Sequence, residues 1–363
     1  MVIHFIRKII RNSESSLTAR LFTILTGSVF ITLFFAFAFY FAERNAQEGL
    51  TIWDSIWWAM VTMTTVGYGD FYAQTWIGRF LVSFPCFIFG NGLIGYLIGI
   101  LVEGIIEITS KKRKGNAKSR MKNHIIICHC PSESKVLNIA KEIRASAEHQ
   151  NVPICIIDDK LEERPTSFKQ QNIDFVKGNP TEEDCLKKAN IEVASGVVVL
   201  AKRSGDTTSD SSSFAIITIV ELISEELNRP IKTTAEVINT KSDKLFHRSK
   251  VDGTVFVEGI TDKMVVQEFL YPGIHDTFQQ LLTNTSGSQF YSCETKLIGH
   301  RLVEIQSAAL QHHNDLQIIG LNRNGEQMLN PSKEIAIEQG DKLLVLAETQ
   351  QEYQNLEDDL LKA

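Results

Sequence analysis

The sequence predicts two membrane-spanning α-helices with a re-entrant segment between them, followed by an α/β domain and a small α+β lobe. Three observations predict this fold class. Long uncharged runs occur within the first 110 residues, which carry 6 Lys/Arg and 7 Asp/Glu. Residues 121–363 carry 25 Lys/Arg and 36 Asp/Glu, a net charge of −11, as in a soluble globular body. In that second part, apolar strands alternate with helical segments.

The composition excludes several classes of protein. With 44% hydrophobic and 22% charged residues, the chain is neither extensively disordered nor collagen-like. A net charge of −6 argues against a nucleic-acid-binding protein. The six cysteines lie in a membrane helix and a predicted cytoplasmic part, so we expect reduced thiols rather than a disulfide framework.

The two predicted spans are residues 21–42 and 80–102, which contain no charged side chain. As helices these runs measure about 33 Å and about 35 Å, which matches a hydrocarbon core of about 30 Å. A signal peptide is excluded for the first run because it is too long and no small-residue cleavage site follows it.

Positive charges predict the orientation of the spans. Arg7, Lys8, Arg11 and Arg20 precede the first span, and residues 111–120, KKRKGNAKSR, follow the second. By the positive-inside rule, both termini of this multi-pass protein lie in the cytoplasm, in the inner (plasma) membrane. Residues 1–10 read as an interfacial helix or as a frayed end. No segment has Arg or Lys at every third position, so a voltage-sensing helix is not expected.

Residues 50–70, LTIWDSIWWAMVTMTTVGYGD, connect the two spans. The segment is apolar but broken by an aspartate and by two glycines near its end. It therefore predicts a re-entrant pore helix and an extended strand, over about residues 52–70, in a membrane domain of residues 1–110. The stretch TTVGYGD resembles the signature of potassium channels, whose carbonyl-lined loop selects potassium.

The resemblance implies a selectivity filter made of five consecutive residues. They are Thr65, Val66, Gly67, Tyr68 and Gly69. Successive carbonyl oxygens replace the hydration shell of K⁺, and the glycines permit the required backbone dihedrals because they lack Cβ. Four copies of the loop complete the oxygen rings, so a homotetramer in the lipid bilayer is implied.

Aromatic residues beside this segment resemble the cuff that holds the filter at its diameter in the family. Trp57 and Trp58 are the matching residues, and Asp70 is implied at the outer mouth, within reach of a tryptophan N–H. Some family members keep a carboxylate behind the filter, but the matching position here is Val61.

The second span is the implied inner, pore-lining helix. In the family a mid-helix glycine acts as the gating hinge; Gly90 is the nearest candidate, and Gly92 or Gly95 are alternatives. The same glycines equally suit close helix packing. Glu103 and Glu107 lie one turn apart near the cytoplasmic end, either as a cation-concentrating ring at the inner mouth or as solvated carboxylates.

The sequence of the soluble part predicts a Rossmann-like domain over residues 121–270, because β-branched apolar runs alternate with helical segments. A basic linker, residues 111–120, precedes it; it faces the anionic inner leaflet and transmits gating strain. A crossover helix at residues 271–287 and a C-terminal lobe at residues 288–363 follow, with lobe strands expected around residues 293–299, 316–325 and 341–348.

Residues 178–191, GNPTEEDCLKKANI, resemble regulator-of-potassium-conductance (RCK) domains, made of TrkA-N and TrkA-C parts. With the filter motif, the whole chain resembles prokaryotic two-transmembrane potassium channels of the calcium-gated type. The resemblance implies a non-enzymatic, ligand-gated channel with an octameric gating ring. Because each chain has one RCK domain, four further soluble copies are implied, and Met121 is a candidate internal start for them.

The gating ligand is open between Ca²⁺ and a nucleotide (NAD or an adenine nucleotide). Asp210 and Glu236 match two acidic calcium ligands of the family, although a third expected acid is Ile238 here. Asp158 ends the second strand, where a ribose-binding carboxylate would lie, but the turn CHCPSES after the first strand lacks the glycines of a dinucleotide site. Strand alternation argues against one zinc ion held by Cys128, His129 and Cys130.

Two other function classes remain as alternatives at this point. One is a regulatory subunit of a separate potassium uptake system, which would have no filter. The other is a membrane-tethered Rossmann nucleotide-binding protein, which would have a glycine-rich loop.

Overall fold

The computed structural model describes residues 17–203, 208–312 and 315–362, in two compact units, Met1–Lys112 and Arg113–Ala363. The interfacial helix considered for residues 1–10 lies outside the described residues. Each unit has its own hydrophobic core.

The first unit contains two long apolar helices joined by a short one. The elements are α1 (Leu17–Glu43), α2 (Ile52–Met63), a π-helical stretch (Gly78–Ser83) and α3 (Phe84–Arg113), which continues directly from it. Both long segments are long and apolar enough to cross a membrane. The predicted spans lie within them, and the predicted pore helix corresponds to α2.

The start of α2 is fixed by a capping box. Thr51 Oγ1 accepts a hydrogen bond from the backbone N–H of Asp54 at 3.2 Å, and Asp54 Oδ2 accepts one from the backbone N–H of Thr51 at 2.9 Å. These contacts satisfy two N–H groups that a helix start leaves unpaired. The helix packs on α1 through Trp58, whose ring stacks on Phe39 with 3.7 Å between centroids.

The second unit begins with a doubly wound parallel sheet of six strands in the order β3-β2-β1-β4-β5-β6. Its strands are β1 (Ile125–Cys128), β2 (Ile154–Asp158), β3 (Ile173–Lys177), β4 (Gly196–Val199), β5 (Lys232–Val237) and β6 (Gly253–Phe256). Its helices are α4 (Glu133–Ala145), α5 (Thr166–Gln170), α6 (Glu183–Lys188), α7 (Thr208–Glu226) and α8 (Asp243–Arg248). This is the predicted Rossmann-like fold.

The central strand is covered on both faces. Ile126 and Cys128 belong to one core cluster, and Ile125 and Ile127 belong to another. Because side chains alternate across a strand, a fully apolar run such as β1 requires apolar layers on both sides. The uninterrupted β-branched runs of the sequence have this physical cause.

Two helices lead to the C-terminal lobe. They are α9 (Val257–Leu270) and α10 (Ile274–Leu282). The lobe has an antiparallel sheet of order β7-β10-β8-β9 and two helices: β7 (Gln289–Glu294), α11 (Leu302–His312), β8 (Leu316–Arg323), β9 (Glu326–Leu329), β10 (Lys342–Ala347) and α12 (Gln350–Lys362).

The first lobe strand differs from its predicted position. A strand was expected at residues 293–299, but β7 ends at Glu294 because its residues 289–294 pair with β10. Tyr291 packs against the lobe core that contains Cys293, whereas Phe290 is 48% exposed, so only every second side chain is apolar and covered. The sequence prediction also missed β9, which is short and exposed and pairs with β8.

Candidate functional site

The segment after α2 has an alternating backbone. Thr65, Gly67 and Gly69 have φ of +60°, +57° and +77°, whereas Val66 and Tyr68 are not among the residues with positive φ. A Cβ on either glycine would meet nothing within 4 Å, so the conformation, not the space, requires glycine there. Thr65 adopts the same left-handed region without being glycine, which is uncommon and costs free energy.

The beginning of this segment is held by one carbonyl. Val61 O accepts hydrogen bonds from the backbone N–H groups of Val66, at 3.0 Å, and Gly67, at 3.3 Å. Val61 itself is buried, at 7% exposure. The position where some family members keep a carboxylate therefore supports the segment through its backbone.

The end of the segment is held by Trp57. Its indole Nε1 donates a hydrogen bond to Asp70 Oδ2 at 2.7 Å. The Trp57 ring also stacks on Tyr68, with centroids 5.9 Å apart and planes 4° from parallel. These are the contacts that the resemblance implied for Asp70 and the cuff. Trp58 is not part of this group: it is 5% exposed and stacks on Phe39 of α1.

A buried carboxylate that the sequence analysis missed anchors the loop after the segment. Glu43, the last residue of α1, is fully buried. It accepts hydrogen bonds from the backbone N–H of Gln74 at 2.9 Å and from the N–H and hydroxyl of Thr75 at 3.0 and 2.7 Å. A Cβ at Gly78 would lie 1.8 Å from Glu43 Oε1, so glycine there admits the carboxylate. The sequence signal that could have identified this residue is its position, because Glu43 is a single acidic residue directly after a long uncharged run.

The hinge candidates on α3 are in different surroundings. A Cβ at Gly90 would lie 2.6 Å from Met63 Cα, so this glycine permits close packing against the end of α2. A Cβ at Gly92 or Gly95 would meet nothing within 4 Å in the single chain. The close-packing interpretation therefore applies to Gly90.

The two glutamates near the end of α3 each have a cationic partner. Glu103 Oε2 accepts a hydrogen bond from Arg20 Nη1 at 3.0 Å, and Glu107 forms an ion pair with Lys111 at 2.8 Å. Their carboxylates are about half exposed. Such solvated pairs contribute little stability, so the structure agrees with the interpretation of both groups as solvated carboxylates at the end of the helix.

The ligand edge of the Rossmann-like sheet has acidic side chains fixed by its loops. Asp158, at the end of β2, is 2% exposed; its Oδ2 accepts from the N–H of Cys130 at 2.9 Å, and its Oδ1 accepts from Lys160 and Leu161 at 2.8 and 2.9 Å. The neighbouring Asp159 accepts a hydrogen bond from Lys202 Nζ at 2.7 Å.

The turn after β1 departs from the expected strand alternation. His129 has φ of +69° and is 1% exposed, so the strand ends at Cys128 and the alternation argument about Cys128, His129 and Cys130 does not apply. Burial lowers the pKa of His129 to about 4, and the Lys202 charge adds to this effect, so the ring is neutral at pH 7. Burial alone would raise the pKa of Asp159, but Lys202 holds it below its usual value.

The two residues predicted to bind calcium already have protein partners. Asp210 is 5% exposed and accepts hydrogen bonds from the backbone N–H groups of Ile238, at 2.9 Å, and Asn239, at 3.0 Å. Glu236 Oε1 accepts from Lys135 Nζ at 2.5 Å, and its Oε2 accepts from the N–H of Ala201 at 3.0 Å. Asp210 thus ties the start of α7 to the loop after β5.

Comparisons with known proteins identify each part of the chain. A family model described as an ion channel matches residues 27–107. The RCK domain of calcium-activated, slowpoke-like potassium channels matches residues 120–235, and a part of the Castor and Pollux voltage-gated ion channels matches residues 258–361. The ion channel and RCK models together cover most of the first span, the second span, the segment between them and most of the Rossmann-like domain.

Among curated proteins, the chain is similar to the calcium-gated potassium channel TvoK of Thermoplasma volcanium. The two are 26% identical over 349 residues, which is 96% of each chain. It is also 25% identical to the probable potassium channel protein 2 of Methanocaldococcus jannaschii, over 88% of this chain and 91% of that protein.

The soluble part is similar in fold to a solved gating-ring structure. The human SLO3 gating ring matches with a TM-score of 0.50 at 15% identity, over 66% of this chain and 46% of that one. The GsuK channel bound to NAD matches with a TM-score of 0.47 at 16% identity over 91% of this chain, which spans 57% of the GsuK chain. By its family models and curated relatives, the chain is therefore similar to potassium channels in which an ion channel domain is joined to an RCK domain.

Proposed function

We propose that this protein is a potassium-selective channel whose inner-helix gate is opened or closed by a ligand of its RCK domain. The observation that carries this function is the backbone of residues 65–69, with positive φ at every second residue. Such alternation turns successive carbonyl groups toward one side, and four chains around an axis then supply rings of oxygens for a dehydrated K⁺. The similarity to TvoK over nearly the whole chain supports the same function.

Potassium flux from proteoliposomes tests the function. Gly67→Ala places a Cβ at φ of +57°, a conformation that L side chains rarely adopt, so we expect selective flux to be lost. Gly259→Ala in α9 is the matched control, because a Cβ there meets nothing within 4 Å and its φ is not positive. Undiminished K⁺ over Na⁺ selectivity in Gly67→Ala would refute the assignment of the filter to residues 65–69.

The same segment separates the two alternative functions. A regulatory subunit of an uptake system needs no ion-selective backbone, so it gives no reason for the alternating φ angles of residues 65–69 between the two predicted spans. The second alternative, a membrane-tethered nucleotide-binding protein, does not explain why Trp57 forms a hydrogen bond with Asp70. Both alternatives predict no K⁺ flux from liposomes that contain this protein alone.

We infer that four chains form the pore and that further soluble RCK copies complete an octameric ring. The support is the apolar surface of α9 and α10, where Val265, Phe269 and Leu282 are 65%, 83% and 68% exposed in the single chain. A second copy of the domain would bury this surface. Native mass spectrometry of the membrane complex should show four full chains plus fragments that begin at Met121, and Met121→Leu should remove the fragments.

Backbone hydrogen bonds attach the linker to the RCK domain, so a movement of the domain can be transmitted to the linker. Gly115 O accepts a hydrogen bond from the N–H of Lys177 at 2.9 Å, and the N–H of Ser119 donates to Lys188 O at 2.8 Å. A change in the shape of the ring would therefore move the segment that follows α3. We propose the functional division as pore domain 1–110, linker 111–120, Rossmann-like domain 121–270, crossover 271–287 and C-terminal lobe 288–363.

Calcium at Asp210 and Glu236 stays a prediction, which the name of TvoK supports. A calcium ion between these residues requires their present contacts to rearrange. It would have to displace the Lys135 ammonium from Glu236 and share Asp210 with backbone N–H groups. If calcium acts here, flux should depend on it and Asp210→Asn should shift the dependence to higher concentration. Calcium-independent flux would remove this site, and nucleotides, for which Asp158 is the candidate ligand, would be titrated next.

We place the protein in the inner (plasma) membrane with both termini in the cytoplasm. The cations of residues 111–120 and Arg20 beside the two spans support this orientation. Labelling of a single cysteine introduced near either terminus should require permeabilised cells, and labelling of intact cells would contradict it.

A further inference from the structure

A cluster of titratable side chains lies at the carboxyl edge of the Rossmann-like sheet. His129, Asp158 and Asp159 each offer one ligand atom, and these atoms lie within 4.8 Å of one another. The cluster joins the turn after β1 to the end of β2, two neighbouring parallel strands. Neither Asp210 nor Glu236 belongs to it.

His129, the histidine of this cluster, has a side-chain nitrogen without a hydrogen-bond partner. The side chain is 1% exposed, and its Nε2 lies 3.2 Å from Ser212 Oγ, whereas Nδ1 has no hydrogen-bond partner. A buried polar atom without a partner costs free energy, because in the unfolded chain it is hydrogen-bonded to water. A ligand that accepts the lone pair of a neutral imidazole would remove this cost.

The two carboxylates are prepared in different ways. Asp158 is fixed by three backbone N–H groups, which leave further lone pairs on its oxygens. Asp159 is paired with the Lys202 ammonium at 2.7 Å, and both of these side chains are about 30% exposed. A positive charge therefore already stands beside the cluster, on a flexible side chain that can withdraw into water.

We propose that His129, Asp158 and Asp159 form a binding site for a divalent transition-metal ion such as Zn²⁺. Imidazole nitrogen and carboxylate oxygen are both ligand types that Zn²⁺ takes, and water would complete the tetrahedral coordination. The imidazole favours such an ion over Ca²⁺ and Mg²⁺, which take oxygen ligands. The ion would exchange with the Lys202 ammonium, so a positive charge beside the carboxylates is maintained.

The test is a competitive titration of the purified full-length protein with Zn²⁺ against a chromophoric chelator. His129→Asn removes the imidazole and keeps a residue that tolerates φ of +69°. We expect this variant to bind one high-affinity Zn²⁺ fewer per chain, and Asp159→Asn to weaken that site by roughly 10–100-fold. The matched control is His275→Asn, which removes an exposed imidazole on α10 and should leave the titration unchanged.

The Lys202→Met variant distinguishes a metal site from a cluster that only stabilises the fold. Removing the competing ammonium should tighten the binding of Zn²⁺, whereas the ligand variants weaken it. Unchanged zinc stoichiometry in His129→Asn would overturn the proposal, and so would weaker binding in Lys202→Met. Equal competition by Ca²⁺ would overturn the assignment to a transition metal. Each readout is a binding measurement, so the outcome does not depend on whether the protein conducts potassium.

Discussion

The hydrogen bond between Trp57 and Asp70 allows a sharp test of how the predicted filter is held. Trp57→Phe removes the indole N–H that donates to Asp70 Oδ2 at 2.7 Å but keeps an aromatic ring to stack on Tyr68. Val61 O holds the beginning of the segment, whereas the contact of Trp57 with Asp70 acts at its end. We expect the conductive conformation of the filter to lose stability while the rest of the protein folds normally.

The size of the effect follows from the geometry of the contact. A hydrogen bond to a charged acceptor contributes about 1.5–3 kcal/mol. The Trp57 side chain is 44% exposed in the single chain, so the lower end of that range applies. About 1.4 kcal/mol corresponds to a tenfold change in an equilibrium constant. The ratio of conductive to non-conductive filters should therefore fall about tenfold per chain, and further if four copies act together.

Recordings of single channels in planar bilayers measure this ratio directly. The conductive fraction of Trp57→Phe should fall, and raising the K⁺ concentration should restore part of it because bound K⁺ stabilises the conductive filter. Trp53→Phe is the matched control: it makes the same chemical change on the same helix, at a side chain that is 75% exposed. An unchanged conductive fraction in Trp57→Phe would refute the argument that this hydrogen bond holds the filter.

Three further predictions concern packing, pH and stability. Gly90→Ala should lower the yield of folded protein or its thermal stability in detergent, because its Cβ would approach the end of α2 too closely, whereas Gly95→Ala should be tolerated. Burial lowers the pKa of His124 below the usual histidine value of about 6.5, so protonation favours the unfolded chain. Thermal stability should therefore be fullest above pH 6.5 and fall on acidification, less steeply in His124→Gln. Asp341→Asn should destabilise the C-terminal lobe by roughly 3 kcal/mol, because it breaks a buried pair with Arg323.

Each of these predictions has a result that contradicts it. Equal stability of Gly90→Ala and Gly95→Ala would contradict the packing prediction, because it would show that α3 can move away from Met63 to make room for the added Cβ. An unaltered pH slope in His124→Gln would mean that other groups, such as His129, account for the acid sensitivity. For the lobe, Asp358→Asn is the control at an exposed carboxylate, and equal calorimetric unfolding of the two Asp variants would exclude a stabilising pair.

The membrane spans and the Rossmann-like domain could be predicted from the sequence. Their signals are local: uncharged runs long enough to cross a bilayer, and β-branched runs that need cover on both faces. The unusual backbone of the predicted filter segment could also be predicted from the sequence, because Gly67 and Gly69 occupy positions of positive φ that other residues avoid. In each case the residue types alone restrict the conformations or surroundings that are physically possible.

Tertiary structure alone decided which distant residues meet. Glu43 lies about 30 positions before the loop that its carboxylate binds, and no spacing in the sequence predicts that contact. Asp210 was predicted at the correct sheet edge, but only the fold shows that its oxygens are taken by the loop after β5.

His129 illustrates the same division within one residue. Sequence alternation placed it on a strand, whereas the chain turns at φ of +69° and buries the ring beside Asp158 and Asp159. Local sequence determined where the helices and strands form, because propensity and burial patterns act over a few residues. The partners of a buried polar group depend on contacts between distant segments, and only the folded chain fixes those.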